Sequence, residues 1–223
     1  MARSHKTYKK EDGLMDESGL RGYALRLCDW LVRLAALNSL WLVFCLLGGV
    51  IVGFFPAMYA MFAVMKRWCL KEGDVPLVRT FFQEWKGAFW RANIVGFTVA
   101  LVGAILVVDY LIVFNLDFPG AAAAAALLML CLFVYGLGAL FIGPALVVFD
   151  GALIPFLKNV ALLAIASIRY AVFMSVFLCL AALLFVLVPP AGFCFAGSLF
   201  AWITTHFSLK AFQRARLLPH PAR

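Results

Sequence analysis

Residues 34–57 read LAALNSLWLVFCLLGGVIVGFFPA, an apolar block interrupted by glycines and closed by a proline and an alanine. The basic triplet Lys66-Arg67-Trp68 follows shortly afterwards, and then an aromatic stretch that runs up to Asn93. Two apolar arms that meet at a Gly/Pro break and leave through a charged, aromatic segment are typical of a helical hairpin in a bilayer. This stretch therefore predicts a membrane hairpin near the start of the chain.

The composition of the whole chain agrees with that prediction. Of its 223 residues, 65% are hydrophobic and only 13% are charged, and the mean hydropathy is +1.00. A soluble domain carries about a quarter charged residues, so this composition cannot cover a water-exposed surface. The sequence predicts an all-α polytopic membrane protein with one helical membrane domain over residues 21–209.

The positions of the cations predict how the chain is oriented. All 19 Lys and Arg fall into four places, and residues 92–157 and 170–209 contain none. Such clustering is typical of cytoplasmic loops beside anionic headgroups. We therefore expect both termini inside, a multi-pass protein of the cell inner membrane, and the lipid bilayer rather than nucleic acid as the partner of the basic segments.

Six membrane segments follow from the hydropathy and charge pattern. They are expected at about 27–53, 56–69, 92–114, 121–149, 170–188 and 193–209, with surface helices at about 74–90 and 151–168. A helix is expected to begin at Arg21 after a flexible tail (1–20), and a basic tail (210–223) ends the chain. The second segment is short, so it is either a tilted crossing or a re-entrant half-helix, and five or six crossings remain open.

The glycine-rich break carries two interpretations. Gly49, Gly53 and Ala57 form a line of small residues four apart, which allows two helix backbones to approach closely. Pro56 is expected to break the helix because it lacks an N–H group and its ring clashes with the preceding turn. The line is explained either by packing of the two arms or by a broken helix that lines a solute site.

The segment 74–90 is expected to be an amphipathic surface helix capped by Asp74. Its aromatic and basic residues form the candidate partner surface: Arg79, Phe81, Trp85, Lys86 and Phe89. An aromatic face opposite a basic one either lies flat in the headgroup region or docks a cytoplasmic partner.

Few polar residues lie in or beside the apolar segments. The candidates are Asn38, Asn93, Asp109, Asp150, Lys158 and His206. Asn38 and Asn93 are expected near the inner ends of crossings, where interhelical hydrogen bonds fix packing, and the others are expected at the interfaces. Ser198 and His206 are about two turns apart on one helix, too far for a nucleophile and its base. We expect neither an enzyme, nor a metal site, nor a cofactor.

A weak internal echo is also present. Pro56, Pro76-x-x-Arg79 and Arg91 precede one crossing, and Pro144, Pro155-x-x-Lys158 and Arg169 precede another. The match predicts a duplicated unit of hairpin arm, surface helix and crossing, and coincidence over so few residues is the alternative.

One stretch of about 60 residues resembles the YesL-like family of bacterial integral membrane proteins. The matching positions are Leu34, Asn38, Trp41, Phe44, Gly48, Gly53, Pro56-Ala57, Ala60, Lys66-Arg67-Trp68, Gly73-Asp74-x-Pro76, Phe81, Trp85, Phe89, Asn93 and Gly96. The resemblance implies a multi-pass protein of the bacterial inner membrane without an assigned activity. Genes of this family often lie near those of carbohydrate-uptake ABC transporters, which implies an accessory role in sugar import.

Two functions therefore compete at this point. The first is a non-catalytic accessory or interaction subunit, whose partner is a membrane protein such as a sugar ABC transporter or a second copy of the chain. The alternative is a small solute transporter or channel that uses the broken helix at Gly48–Pro56.

Overall fold

The fold is described from a computed structural model that covers residues 8–72, 76–116, 119–215 and 217, with side chains from residue 22 onward. Within these residues the chain forms eight α-helices. They are α1 Tyr8–Leu47, α2 Ile51–Leu70, α3 Leu77–Gly87, α4 Phe89–Phe114, α5 Ala121–Val148, α6 Leu153–Ala166, α7 Ile168–Leu187 and α8 Pro189–Arg214. The prediction of an all-α polytopic membrane fold is confirmed.

Four of the long helices are apolar enough to cross a membrane by length and composition. These are Gly22–Leu47 within α1, α4, α5 and α7. The other two long helices, α2 and α8, have 20 and 26 residues, or about 30 and 39 Å of helix. They are less apolar because α2 contains Lys66 and Arg67 near its end and α8 contains several buried Ser and Thr residues, and both helices are largely enclosed by others.

The six long helices form three antiparallel hairpins, α1/α2, α4/α5 and α7/α8, which pack closely within each pair. Lys66 and Arg67 of α2, Arg91 of α4 and Asp150 after α5 meet at one end of the bundle. Phe149, which follows α5, also meets Phe212 of α8 there, with ring centroids 5.1 Å apart. We call this the basic end. The hairpin turns lie at the opposite end.

The turn between α1 and α2 differs from the expected break. Gly49 and Val50 have φ angles of 79° and 53°, so the chain reverses there through the left-handed region. A Cβ atom on Gly48 would lie 2.4 Å from the Gly53 Cα, so these two glycines make the close backbone contact. Gly49 belongs to the turn and not to the packing line. Gly53 and the fully buried Ala57 do face the bundle interior.

Pro56 does not break the helix. It is the sixth residue of α2, and the helix continues through it to Leu70. Near a helix N-terminus the missing N–H removes a single backbone bond, and the enclosing helices hold the rest in place. The expectation that the second segment starts at Pro56, as a tilted crossing or a half-helix, was therefore wrong in its starting point, since α2 begins at Ile51.

The two short helices both run back beside the long helix that precedes them. Glu84 of α3 pairs with Arg67 near the end of α2, and the Trp85 indole lies beside Gly48 at the turn that precedes α2. Ala164 of α6 lies closest to Gly138, ten residues before the end of α5. Both short helices therefore pack along the bundle instead of leaving it.

Several boundaries differ from the predicted ones. Helix α1 begins at Tyr8 rather than Arg21, because extending an existing helix over residues such as Lys, Glu and Leu costs little. The predicted 74–90 helix is split, since α3 ends at Gly87 and α4 begins at Phe89. Pro189 starts α8, where proline fits a first turn, so the expected loop is shortened to Val188. The predicted cap Asp74 lies outside the described residues.

Candidate functional site

Arg91 joins three elements at the basic end. Its Nη1 donates to Asp150 Oδ1 at 2.6 Å and to the Leu146 carbonyl oxygen at 3.5 Å, and its Nη2 donates to the Phe149 carbonyl oxygen. The guanidinium also lies 5.9 Å from the ring centroid of Phe156 in α6. The last carbonyls of a helix lack partners within it and attract cations. Arg91 thus caps α5 and ties α4 to α6.

Lys66 adds a second cation to the same helix end. Its Nζ donates to the Val147 carbonyl oxygen at 3.4 Å. Arg67, the next residue, pairs with Glu84 and so holds α3 against α2. The three cations of α2 and α4 therefore hold the bundle together at the basic end.

The inner face of α3 is a packed aromatic cluster. Phe81 is fully buried, with its ring centroid 5.0 Å from that of Phe44 in α1. Trp85 lies 5.5 Å from Phe44 and 5.2 Å from Phe89, and both Trp85 and Phe89 are half-buried. The sequence pattern placed these three aromatic residues on an exposed partner surface. For Phe81 that assignment was wrong, because the period of the pattern does not tell which face points inward.

A different set of side chains of α3 stays exposed. We call it the α3 outer face, and it consists of Val78, Arg79, Phe82, Gln83, Lys86 and the adjoining Trp90. Trp90 is 76% exposed, Val78 62% and Phe82 48%. The partner surface expected from the sequence included Arg79 and Lys86 but left out Val78, Phe82 and Trp90. The spacing of Val78, Phe82 and Lys86 at every fourth residue was the available signal.

Asn38 connects the first long helix to the last. Its Nδ2 donates to the Phe193 carbonyl oxygen at 2.9 Å, and its Oδ1 accepts from the N–H of Gly197 at 3.0 Å and of Ser198 at 3.3 Å. In a regular helix the carbonyl oxygen of residue 193 accepts a hydrogen bond from the N–H of residue 197. Asn38 therefore contacts both the acceptor and the donor of one turn of α8. Asn38 lies nine residues before Leu47, past the middle of its span, and not near the basic end as expected.

The remaining polar candidates are separated from one another. Asn93 is buried and donates to the Phe89 carbonyl oxygen at 2.9 Å, and Asp109 is exposed five residues before the end of α4. His206 stacks against Trp202 with centroids 5.9 Å apart, and Lys158 is exposed on α6. Asp109 and Asp150 lie at opposite ends of the bundle. Within the described residues no three His, Cys, Asp or Glu side chains are grouped closely enough to hold a metal ion.

Six long helices, three tight hairpins and a cation-capped end define a polytopic helical membrane protein. Residues 34–110 match the family described as "Protein of unknown function, DUF624". The chain is 36% identical over 156 residues to the uncharacterized protein YteU of Bacillus subtilis (strain 168), which covers 70% of each chain. It is 30% identical over 195 residues to the uncharacterized protein YesL of the same organism, covering 83% of this chain and 88% of YesL.

The chain therefore belongs to this YesL-like family, and the resemblance noted from the sequence is confirmed. A third relative, the uncharacterized protein YesV of Bacillus subtilis (strain 168), is 39% identical over 83 residues, 37% of this chain and 40% of YesV. No solved structure matches the chain. The matched segment 34–110 includes Asn38, Lys66, Arg67, Glu84 and Arg91.

Proposed function

We propose that this protein is a non-catalytic interaction subunit of the bacterial inner membrane and that the α3 outer face binds another membrane protein. The observation that carries the proposal is the exposure of Trp90, Val78 and Phe82 after the inner face of α3 has already been filled by Phe81. Large aromatic side chains next to arginine are the residue types that contribute most at protein interfaces.

The arrangement of α3 favours a protein partner over lipid alone. A helix that rests on a bilayer turns its apolar face to the lipid and its charges to water. Here the apolar face is turned into the protein, and the outer face mixes Val78 and Phe82 with Arg79 and Lys86. Apolar anchors with charges beside them suit a protein surface with matching pockets and acidic groups.

The class of partner follows from the family resemblance. A carbohydrate-type ABC importer is the complex that we propose, with the basic end facing the cytoplasm and both termini inside. That orientation is supported by the positions of Lys66, Arg67 and Arg91 at one end of the bundle. A second copy of the chain is the other partner that this surface would fit.

The test is purification of the full-length protein in mild detergent from its own bacterium, followed by mass spectrometry of what accompanies it. Recovery of importer permease subunits in a fixed ratio is expected for the natural chain. Replacing Phe82 and Trp90 with Ala together with Arg79→Glu should abolish that recovery. Phe133→Ala, which removes a 62% exposed ring from α5, is the matched control and should leave it unchanged.

Two outcomes would contradict the proposal. One is a natural chain that purifies without any partner, and the other is a triple variant that retains the permease as well as the control does. Thermal unfolding of each variant in detergent separates loss of the surface from loss of the fold.

The transport alternative loses its structural basis at the proposed break. Gly48 and Gly53 are in backbone contact, and Pro56 is fully buried inside a continuous helix. The neighbouring cavity of about 220 Å³ is lined by apolar residues such as Phe55, Met58 and Phe62 apart from Tyr59. Liposomes that contain only this protein should therefore show no flux of sugars or ions beyond that of empty liposomes.

A further inference from the structure

Helix α6 exposes an apolar face to its surroundings. Its inner side chains, such as Phe156 and Val160, are buried in the bundle. On the outside, Ile154 is 79% exposed, Ile165 65% and Leu162 57%. A helix that is apolar on its exposed face as well as its inner face lies in hydrocarbon.

Two apolar grooves run along opposite sides of α6. The first, of about 320 Å³, lies between α6 and the α4/α5 hairpin and is lined by Val102, Val134, Leu157, Ala161 and Ile165 among others. The second, of about 500 Å³, lies on the other side and is lined by Phe149, Pro155, Asn159, Leu162, Ala166 and Leu217 among others. Successive helical residues are about 100° apart, so residues 157 and 161 face away from residues 155, 159 and 166.

Lys158 stands on the ridge between the two grooves. It is exposed and makes no ion pair with any described side chain. It lies five residues after the start of α6, about 8 Å along the helix from the basic end. A lysine at this depth extends its ammonium group to the level of the lipid phosphates.

The other charged side chains near α6, Asp150 and Arg169, have contacts elsewhere. Asp150 borders the second groove, but its carboxylate accepts the 2.6 Å hydrogen bond from Arg91. Arg169 follows the helix, with its guanidinium 5.8 Å from the ring centroid of Tyr170. Among the described side chains Lys158 has no ion-pair partner, so this cation between the grooves attracts an anion.

We propose that α6 binds one anionic glycerophospholipid that straddles the helix, with one acyl chain in each groove and the phosphate at Lys158. The two grooves match the two hydrocarbon chains of such a lipid, and the cation between them matches its single anionic headgroup. The proposal is independent of the α3 outer face, because it uses a different helix and a different ligand.

Native mass spectrometry of the full-length protein in mild detergent tests this site. The added probes are dioleoyl phosphatidylglycerol, dioleoyl phosphatidylcholine and single-chain lysophosphatidylglycerol. One molecule of dioleoyl phosphatidylglycerol per protein is expected to remain bound at lipid concentrations at which dioleoyl phosphatidylcholine and lysophosphatidylglycerol dissociate. Lys158→Ala should weaken phosphatidylglycerol binding roughly fivefold, as expected for one cation near an anionic headgroup, and Lys158→Arg should restore it.

Groove-filling variants test the geometry. Ala161→Phe occupies the first groove and Ala166→Phe the second, and both alanines are exposed, so neither change disturbs the core. Each should lower phosphatidylglycerol binding. The matched controls are Ala122→Phe on α5 and Lys210→Ala on α8, both exposed and outside the two grooves, and both should bind phosphatidylglycerol like the natural chain.

The proposal is overturned if the natural chain retains phosphatidylcholine as well as phosphatidylglycerol, or if Lys158→Ala binds phosphatidylglycerol as tightly as Lys210→Ala does. It is also overturned if Ala161→Phe and Ala166→Phe bind like Ala122→Phe. Equal unfolding temperatures of all variants without added lipid ensure that a loss of binding reports on the site.

Discussion

Helices α3 and α6 occupy equivalent places in the chain and differ in what they show to the outside. Each follows a long helix that contains a buried proline, Pro56 in α2 and Pro144 in α5, and each packs back along that helix before a long helix leads away. The outer face of α3 carries Arg79, Gln83 and Lys86 beside its aromatic residues. The outer face of α6 is aliphatic except for Lys158 and Asn159.

This difference shows that position in the fold does not decide the environment of a surface. The order of long, short and long helix occurs twice, in agreement with the weak internal echo of the sequence. Only the outward residues distinguish the two copies of that order. On α3 they suit an aqueous interface or a protein, and on α6 they suit hydrocarbon.

The largest effect is expected from the buried anchors of the two helices. Phe81→Ala should lower the free energy of unfolding by about 3 kcal/mol, because it leaves a cavity beside Phe44. Phe156→Ala on α6 should cost only about 1–2 kcal/mol, because a helix that remains in lipid when the bundle opens moves this buried ring from protein to hydrocarbon, so that only packing is lost and little transfer free energy. Denaturant unfolding in mixed micelles measures both.

Phe82→Ala is the control for α3, since its ring is 48% exposed, and it should cost about 0.5 kcal/mol. If Phe156→Ala proves more damaging than Phe81→Ala, the assignment of α6 to a lipid environment fails.

A smaller loss of stability is expected when the two arginines that bind the short helices to the bundle are replaced. Arg91→Ala removes hydrogen bonds to Asp150 and to two carbonyls of the α5 end, and should cost about 2 kcal/mol. Arg67→Ala removes one partly exposed pair with Glu84 and should cost about 1 kcal/mol. The same unfolding assay ranks them, with the exposed Arg79→Ala as a control near zero. The reverse order would show that α3, and not α6, depends more on its ionic contact.

The smallest effect concerns access to water. In a variant without the natural cysteines, Gln83→Cys on α3 should react at least about tenfold faster with a membrane-impermeant maleimide than Leu162→Cys on α6, in open membrane fragments. The thiolate is the reactive form, and hydrocarbon disfavours it. Glu72→Cys, on an exposed connection, sets the rate of an unhindered site. Equal rates at positions 83 and 162 would remove the distinction between the two helices.

The helices themselves could be predicted from the sequence, because long apolar runs bounded by Gly, Pro and charges leave few alternatives in a bilayer. Which face of a helix points inward could not. Lipid and protein interior are both apolar, so hydropathy alone does not distinguish the buried Phe81 from the exposed Phe82. The separate roles of Gly48 and Gly49 depend on a backbone contact with Gly53 that sequence spacing does not reveal.

The polar candidates were found but not their partners. Arg91 was noted from the sequence only as a residue that precedes a crossing, whereas its contacts lie 55 to 59 residues away along the chain. Asn38 was recognised as a packing residue, yet its partners on α8 are 155 to 160 residues away. Contacts of this range come from the arrangement of the hairpins, which a single sequence does not specify.

The bond between Asn38 and α8 has a consequence for how the protein is made. Helix α8 leaves the ribosome after α1–α7 and carries the buried residues Ser198, Thr204, Thr205 and Ser208. Its backbone at Gly197 and Phe193 meets the Asn38 amide of α1, which is synthesised before the other seven described helices. A truncated chain therefore leaves the Asn38 amide exposed inside the bilayer. We expect proteolytic quality control to degrade such a chain faster than the complete bundle.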